Sequence, residues 1–175
     1  HIIDCDNHAR AFNITGKKLT INNLIIKNCA HDAGSAISTN STLTLNNVTF
    51  INCQGTGTTD NVGAVFTNNA KLTAINCKFI DTSGEEGASI TSYGSEVNIY
   101  NSTFISNSDK ILKGQIYMYK ADLEILNSIF LNTTSKYATA IFCEESCDVI
   151  INNTKFRNLY ANKTAGAIAG KQNIN

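Results

Sequence analysis

The groups in this 175-residue chain that could do chemistry are carboxylates, thiols, a few imidazoles and aromatic rings. Two acidic pairs stand out, Glu85-Glu86 and Glu144-Glu145. Polysaccharide hydrolysis needs two positioned carboxyl groups, and lyases place Arg or Lys beside their carboxylates. The two pairs lie far apart in the chain, in segments that read as turns, so solvated loop charge is the expectation for both. No Asp-Asp, Gly-His-Gly or Arg-Ile-Lys occurs, and the chain has only two arginines, Arg10 and Arg157. With three histidines, His1, His8 and His31, a Ser-His-Asp arrangement has little to draw on. The expectation is a protein that is not an enzyme, and the alternative is a fragment of a polysaccharide lyase or hydrolase.

What positions these groups is a repeat. Six segments share one pattern: LTINNLII from Leu19, LTLNNVTF from Leu43, LTAINCKF from Leu72, VNIYNSTF from Val97, LEILNSIF from Leu123 and VIINNTKF from Val149. The fifth residue is always Asn: Asn23, Asn47, Asn76, Asn101, Asn127 and Asn153. The steps between them are 24, 29, 25, 26 and 26 residues. The eighth residue is Ile26 and then Phe50, Phe79, Phe104, Phe130 and Phe156. Another polar residue follows two places later: Asn28, Asn52, Asp81, Ser106, Asn132 and Asn158. Upstream, a small or polar residue precedes an aliphatic one at Ile37, Val65, Ile90, Ile116, Ile141 and Ile168, just after a glycine in most repeats.

Alternating apolar and polar residues rich in Val, Ile, Thr and Phe mean strands. About three short strands fit each period, and no helical periodicity appears. The fold class expected is all-β: a right-handed parallel β-helix solenoid of six to seven coils, three short strands per coil, with Asn and Phe ladders. Residues 1–175 form a single β-helix segment. His1 to Cys5 matches Thr49 to Cys53, and the end matches the first strand of another coil. Both ends therefore fall inside a coil, and a longer parent repeat protein is expected. Extra residues are placed in turns at 54–62, 82–86, 107–113, 133–138 and 159–165. The ladder Asn is expected to be buried at a corner, bonded to the Asn above and below.

The register organises the six cysteines. Cys5, Cys29 and Cys53 are 24 apart, so in a stack of strands about 4.8 Å apart any adjacent two lie within disulfide range. Two could bridge neighbouring coils, leaving one over. Cys143 and Cys147 flank Glu144-Glu145-Ser146 and could close a small loop. Cys77 should be a free, inward thiol. A fully reduced chain is the alternative, whereas disulfides would imply an oxidising compartment. Without paired Cys-x-x-Cys and with so few histidines, no zinc site is expected. The loop carboxylates carry no calcium motif, and no cofactor is expected.

Formal charge is zero, with 14 basic and 14 acidic residues, which argues against nucleic acid as a partner. No apolar run is long enough for membrane insertion of this segment. If the aliphatic column from Ile37 to Ile141 points inward, the next residues point out. Those include Phe66, Tyr117 and Phe142, with Tyr119 nearby, and they form the candidate exposed binding face. Asn-x-Ser/Thr sequons start at Asn13, Asn40, Asn47, Asn101, Asn132, Asn152 and Asn162. Asn13, Asn40 and Asn162, near turns, are the glycosylation candidates, whereas Asn47 and Asn101, as ladder residues, are expected to be buried and unmodified.

The Gly-x-Ile piece followed by Leu-Thr-Ile-x-Asn-x-Thr-Phe resembles the right-handed parallel β-helix repeats of surface adhesins. Closest in pattern are the adhesin-like proteins of methanogenic archaea and the polymorphic membrane proteins of chlamydiae. The latter carry GGA(I/L/V) and FxxN motifs. Val62-Gly63-Ala64-Val65 and Phe104-Ile105-Ser106-Asn107 come nearest to these, while most coils have a shorter Phe-x-Asn. Similar repeats occur in pectin-degrading enzymes and protist surface proteins. The resemblance spans nearly the whole chain. It implies an extracellular or cell-surface protein whose partners are proteins or glycans on another cell or in matrix, or copies of itself in a filament or coat. It is specific for fold, and fold alone does not assign function.

Overall fold

A computed structural model of the chain describes residues 1–56, 62–106 and 111–170. Residues 57–61 of the turn at 54–62 and residues 107–110 of the turn at 107–113, including Asn107 of the Phe104 motif, lie outside the described residues. The described residues hold no helix, and every strand pairing is parallel, in a solenoid of about six turns.

One sheet has seven strands: Phe12–Ile14, Ile37–Thr39, Val65–Asn68, Ile90–Tyr93, Ile116–Tyr119, Ile141–Glu145 and Ile168–Gly170. We call it the first sheet. The other main sheet has eleven strands and folds around the Asn corner. Leu19–Lys27 and Thr42–Ile51 run through that corner unbroken, whereas later coils split into pairs such as Glu96–Tyr100 and Thr103–Ile105. Register follows the sequence repeat: Phe79 faces both Phe50 and Phe104. Two of the expected turn insertions are not plain turns. Thr133, Thr134 and Ser135 pair with Leu159, Tyr160 and Ala161, because neighbouring coils carry insertions that align.

Inward residues fill the solenoid. Ile37, Val65, Ile90, Ile116 and Ile141 are fully buried from the first sheet, and Leu43, Leu72, Val97 and Leu123 face them from the second. Phe50, Phe79, Phe104 and Phe130 stack as one column, with ring centroids 4.5–4.8 Å apart. Identical rings at strand spacing have no other way to fill the same slot in successive coils. Polar side chains also enter the interior, and they find partners. Ser89 Oγ bonds Gln115 Oε1 at 2.5 Å, and Gln115 Nε2 donates to Thr133 Oγ1 at 3.2 Å.

The Asn column needs correction. All six ladder residues, Asn23, Asn47, Asn76, Asn101, Asn127 and Asn153, are exposed rather than buried. Their φ angles are 47–55°. That left-handed conformation is disfavoured for most side chains and tolerated by Asn, so the corner backbone dictates the residue type. The side chains then point to solvent, where Asn47 donates to Asn23 at 2.8 Å and Asn153 to Asn127 at 2.6 Å. The second polar column behaves alike: Asn28, Asn52, Asp81, Asn132 and Asn158 all have φ of 49–53°. The expected protection of the Asn47 and Asn101 sequons therefore fails. Both are as open as Asn13, Asn40 and Asn162.

Disulfides join Cys5 to Cys29 across adjacent coils and Cys143 to Cys147 within one strand end. Cys53 is the one left over, and Cys77 is buried and free. Burial raises both free thiols to a pKa of about 11. The bridges suggest an oxidising environment. No helix among the described residues is long and apolar enough to cross a membrane.

Candidate functional site

The inward parity of the first sheet is as expected, so its outer face carries Phe66, Thr91, Tyr117 and Phe142 in one register column. The openness expected of that column is not found. Tyr117 is 3% exposed and Phe142 5%, while Phe66 and Tyr119 are half-buried. Turns and neighbouring rings fold over the face. Tyr117, Ala138 and Phe142 form a second apolar cluster outside the solenoid, packed against Tyr93, Tyr119, Tyr137 and Ala169.

That cover brings together charges that the sequence keeps apart. Lys113 Nζ lies 2.8 Å from Glu86 Oε1 and 2.9 Å from Glu144 Oε2. Tyr93 Oη donates to Glu86 Oε2 at 2.5 Å, and Tyr117 Oη to Glu144 Oε2 at 2.5 Å. The ammonium also sits 4.7 Å from the centre of the Tyr117 ring. The side chains of Glu86, Lys113 and Glu144 are only 21–24% exposed. Solvated loop charge is thus the wrong description of Glu86 and Glu144.

Local structure explains each position. Glu86 precedes Gly87, whose φ is +69° and where a Cβ would lie 2.2 Å from Ile90 O. Only glycine turns the chain into the strand at that point, and Thr91 Oγ1 pins the turn by donating to Glu86 O. Lys113 is held one coil on, its N–H donating to Glu85 O at 3.0 Å. Glu144 is placed by a β-bulge. Met118 pairs with Cys143 and Tyr119 with Glu145, so Glu144 is the extra residue. Bulges re-aim a side chain in this way, and the Cys143–Cys147 bridge closes the strand end that carries it.

Burial acts against the Lys113 ammonium, but its bonds to Glu86 and Glu144 prevail and raise its pKa above the ordinary lysine value. The Tyr117 phenol is pushed far up, by burial first and then by its bond to Glu144, so it remains a hydrogen-bond donor. At the rim, Lys120 Nζ is 3.4 Å from Glu145 Oε1 and 5.2 Å from the Tyr119 ring centre. Lys113 divides two hollows. One of about 300 Å³ is lined by Glu86, Tyr93, Lys113, Tyr117, Tyr119 and Glu144. The other, about 540 Å³ and more apolar, is lined by Tyr137, Phe142, Thr164 and Ala169, among others.

Elsewhere Glu96, Asp122, Glu124 and Asp148 line an open hollow of about 340 Å³ on the second sheet. Among the described residues no His, Cys, Asp or Glu group is arranged to hold a metal ion.

Sequence reading singled out Phe66, Tyr117, Tyr119 and Phe142, and missed Tyr93, Tyr137 and Lys113. One signal of the bulge was in the spacing. Ile90 to Val97 and Ile116 to Leu123 are seven residues, but Ile141 to Val149 is eight. No protein-family model matches this chain, and no curated protein matches it.

Proposed function

We propose that this chain is an adhesin-like β-helix that works outside the cell or at its surface and binds proteins or glycans of another cell or of matrix. The observation that carries this reading is the gathering of Glu86, Tyr93, Lys113, Tyr117, Tyr119 and Glu144 from three successive coils around one groove. A structural stalk needs none of these departures from the repeat. The bulge and the covering turns hold two carboxylates and two phenols in fixed positions. The two disulfides fit an extracellular setting. The test is adherence of the disulfide-intact chain to intact cells and extracellular matrix. Glu86→Gln with Glu144→Gln should reduce adherence at unchanged circular dichroism. Equal adherence by that variant overturns the assignment of the groove.

A second reading has one observation in its favour: two carboxylates within reach of one lysine, as in polysaccharide-cleaving sites. Against it, each accepts Lys113 and one tyrosine hydroxyl, whereas such catalysis uses two carboxyls in contrasting surroundings, one of them held as the proton donor. Release of reducing ends or unsaturated sugars from polysaccharide, abolished by Glu144→Gln, would establish the enzyme reading.

A further inference from the structure

We infer that the Cys143–Cys147 bridge is a redox control on the groove: intact, it keeps Glu144 on Lys113 and Tyr117, and its reduction by a dithiol lets Glu144 leave them. The inference rests on the binding-surface reading above and adds its regulation.

The first support is that two residues compete for one place. In the preceding coils the residue after the inward one stands in the ladder: Tyr93 follows Ser92, and Tyr119 follows Met118. After Cys143 that residue is Glu144, but the ladder skips it and pairs Tyr119 with Glu145. The two claimants are identical side chains one residue apart. A slip of one residue would seat Glu144 opposite Tyr119, where Glu145 now meets Lys120. The same slip would take its carboxylate off Lys113 and Tyr117. The strand end therefore has two discrete arrangements, and only one of them completes the groove.

The second is where the bridge lies. It spans Glu144, Glu145 and Ser146, and its Cα atoms are 6.2 Å apart over a separation of 4 residues. Four extended steps would reach about 13 Å, so the bridged chain must arch. Both feet of the arch stand against Met118. Cys143 is its register partner, and Cys147 Sγ lies 3.6 Å from Met118 O. The crown carries a local cost, because Ser146 has a φ of 42°, in the left-handed region that serine disfavours. Opening the bridge frees Cys147 from Cys143, so the arch can flatten and pass its extra residue from the strand into the turn.

The third is the chemistry of access. One thiolate of a dithiol attacks a bridge sulfur, and its second thiol then displaces the first cysteine's sulfur from the mixed disulfide. Two electrons and two protons end on Cys143 and Cys147 as thiols, and the reductant leaves as its own disulfide. Both cysteines are buried beneath the exposed Ser146, so the reductant reaches them when the arch lifts. Contacts that hold Glu144 in place oppose that lifting. Reduction therefore weakens binding at Glu144, and by linkage a ligand bound there protects the bridge.

The test is zero-length cross-linking with a water-soluble carbodiimide, which joins a lysine to a carboxylate it touches, followed by peptide mapping. Two proteins open the bridge. One is Cys143→Ala with Cys147→Ala, which keeps the cross-coil bridge. The other is Cys5→Ala with Cys29→Ala, in which Cys143–Cys147 is the sole bridge, before and after dithiothreitol. Either protein that keeps the circular dichroism of the native chain decides the matter. With the bridge open, the Lys113–Glu144 product should fall about tenfold, the scale of a two-state population shift. The Lys113–Glu86 product should stay, and the partner of Lys120 should change from Glu145 to Glu144. Unmoved cross-links overturn the inference. A parallel arm measures adherence to cells and matrix, which opening the bridge should lower in the native background but lower no further in Glu144→Gln. Adherence that needs Glu144 yet ignores the bridge overturns the control and retains the binding surface. Cross-links that move in a chain that never adheres overturn the binding surface and retain the bridge's hold on Glu144.

Discussion

Two aromatic assemblies occupy this solenoid, and they are built differently. In the interior, Phe50, Phe79, Phe104, Phe130 and Phe156 lie nearly flat on one another, with interplanar angles of 2–12°. On the outer face of the first sheet, Tyr93 meets Phe66, Tyr117 and Tyr119 edge-on, at 77–87°, and only Tyr117 and Phe142 keep a parallel arrangement, at 14°. The inner rings are alike because each coil poses the same volume problem. The outer rings differ from coil to coil, and each tyrosine among them has a polar tip that needs its own partner. Repetition makes the rod, and departure from repetition makes the groove.

The comparison breaks if the two assemblies respond alike to truncation. Phe79→Ala should cost about 3–5 kcal/mol, read as a lower urea midpoint at unchanged slope. Tyr119→Ala should cost less than about 1 kcal/mol, since its ring is only half-buried. Equal losses would mean that the outer cluster is a second core and not a surface.

The next effect in size concerns the cross-coil bridge. Its chain separation is 24 residues, for which loop entropy gives about 3–4 kcal/mol. In Cys5→Ser the full loss should not appear, because Cys53 lies one coil beyond Cys29 and can take the vacant place. Non-reducing peptide mapping of that variant should find Cys29 joined to Cys53, whereas Cys5→Ser with Cys53→Ser should show the full loss. Three free thiols in the single variant, Cys29, Cys53 and Cys77, in place of Cys77 alone, would contradict the column.

Asn101 sharpens the role of the corners. Asn101→Ala should cost about 1–2 kcal/mol and Asn101→Gly clearly less, since glycine tolerates the left-handed backbone. Were the side-chain ladder the stabilising part, the two would cost the same.

A smaller effect than at the corners is expected at Lys113. Lys113→Met leaves two carboxylates facing each other and should cost about 1 kcal/mol at neutral pH. The pH dependence is more telling. Lys113 and Tyr117 both have folded pKa values above their ordinary ones. Their contribution is therefore present below the unfolded values and is lost as pH rises through the lysine and tyrosine range and beyond. Urea midpoints should fall on going above about pH 10, and less steeply in Lys113→Met. Parallel pH curves for the two proteins would remove Lys113 from this account.

The fold was legible because the same physical problem recurs in every coil and leaves the same residue each time: Phe in the slot, Asn at the corner. The corner Asn was assigned the wrong surroundings, since residue type reports the backbone angle and not which way the side chain faces. The groove was far less legible. Glu86 and Glu144 lie two coils apart, in stretches that break the repeat, and one is aimed by a bulge that the spacing signals only by a single extra residue. Tyr93 shares its column with Asn68 on one side and Tyr119 on the other, and Lys113 lies in a stretch that breaks the repeat, so no uniform column marks them.

The bridge between Cys5 and Cys29 also has a mechanical side. Strands run across the rod and their hydrogen bonds run along it, so a stack pulled by its chain ends peels like tape from a roll, one coil at a time. A covalent link between two successive coils takes the residues between them out of the path of force. Those 24 residues would otherwise pay out roughly 80 Å of extended chain. That slack stays locked until a reductant opens the bond, so the extensibility of this end of the rod depends on redox conditions and not on load alone.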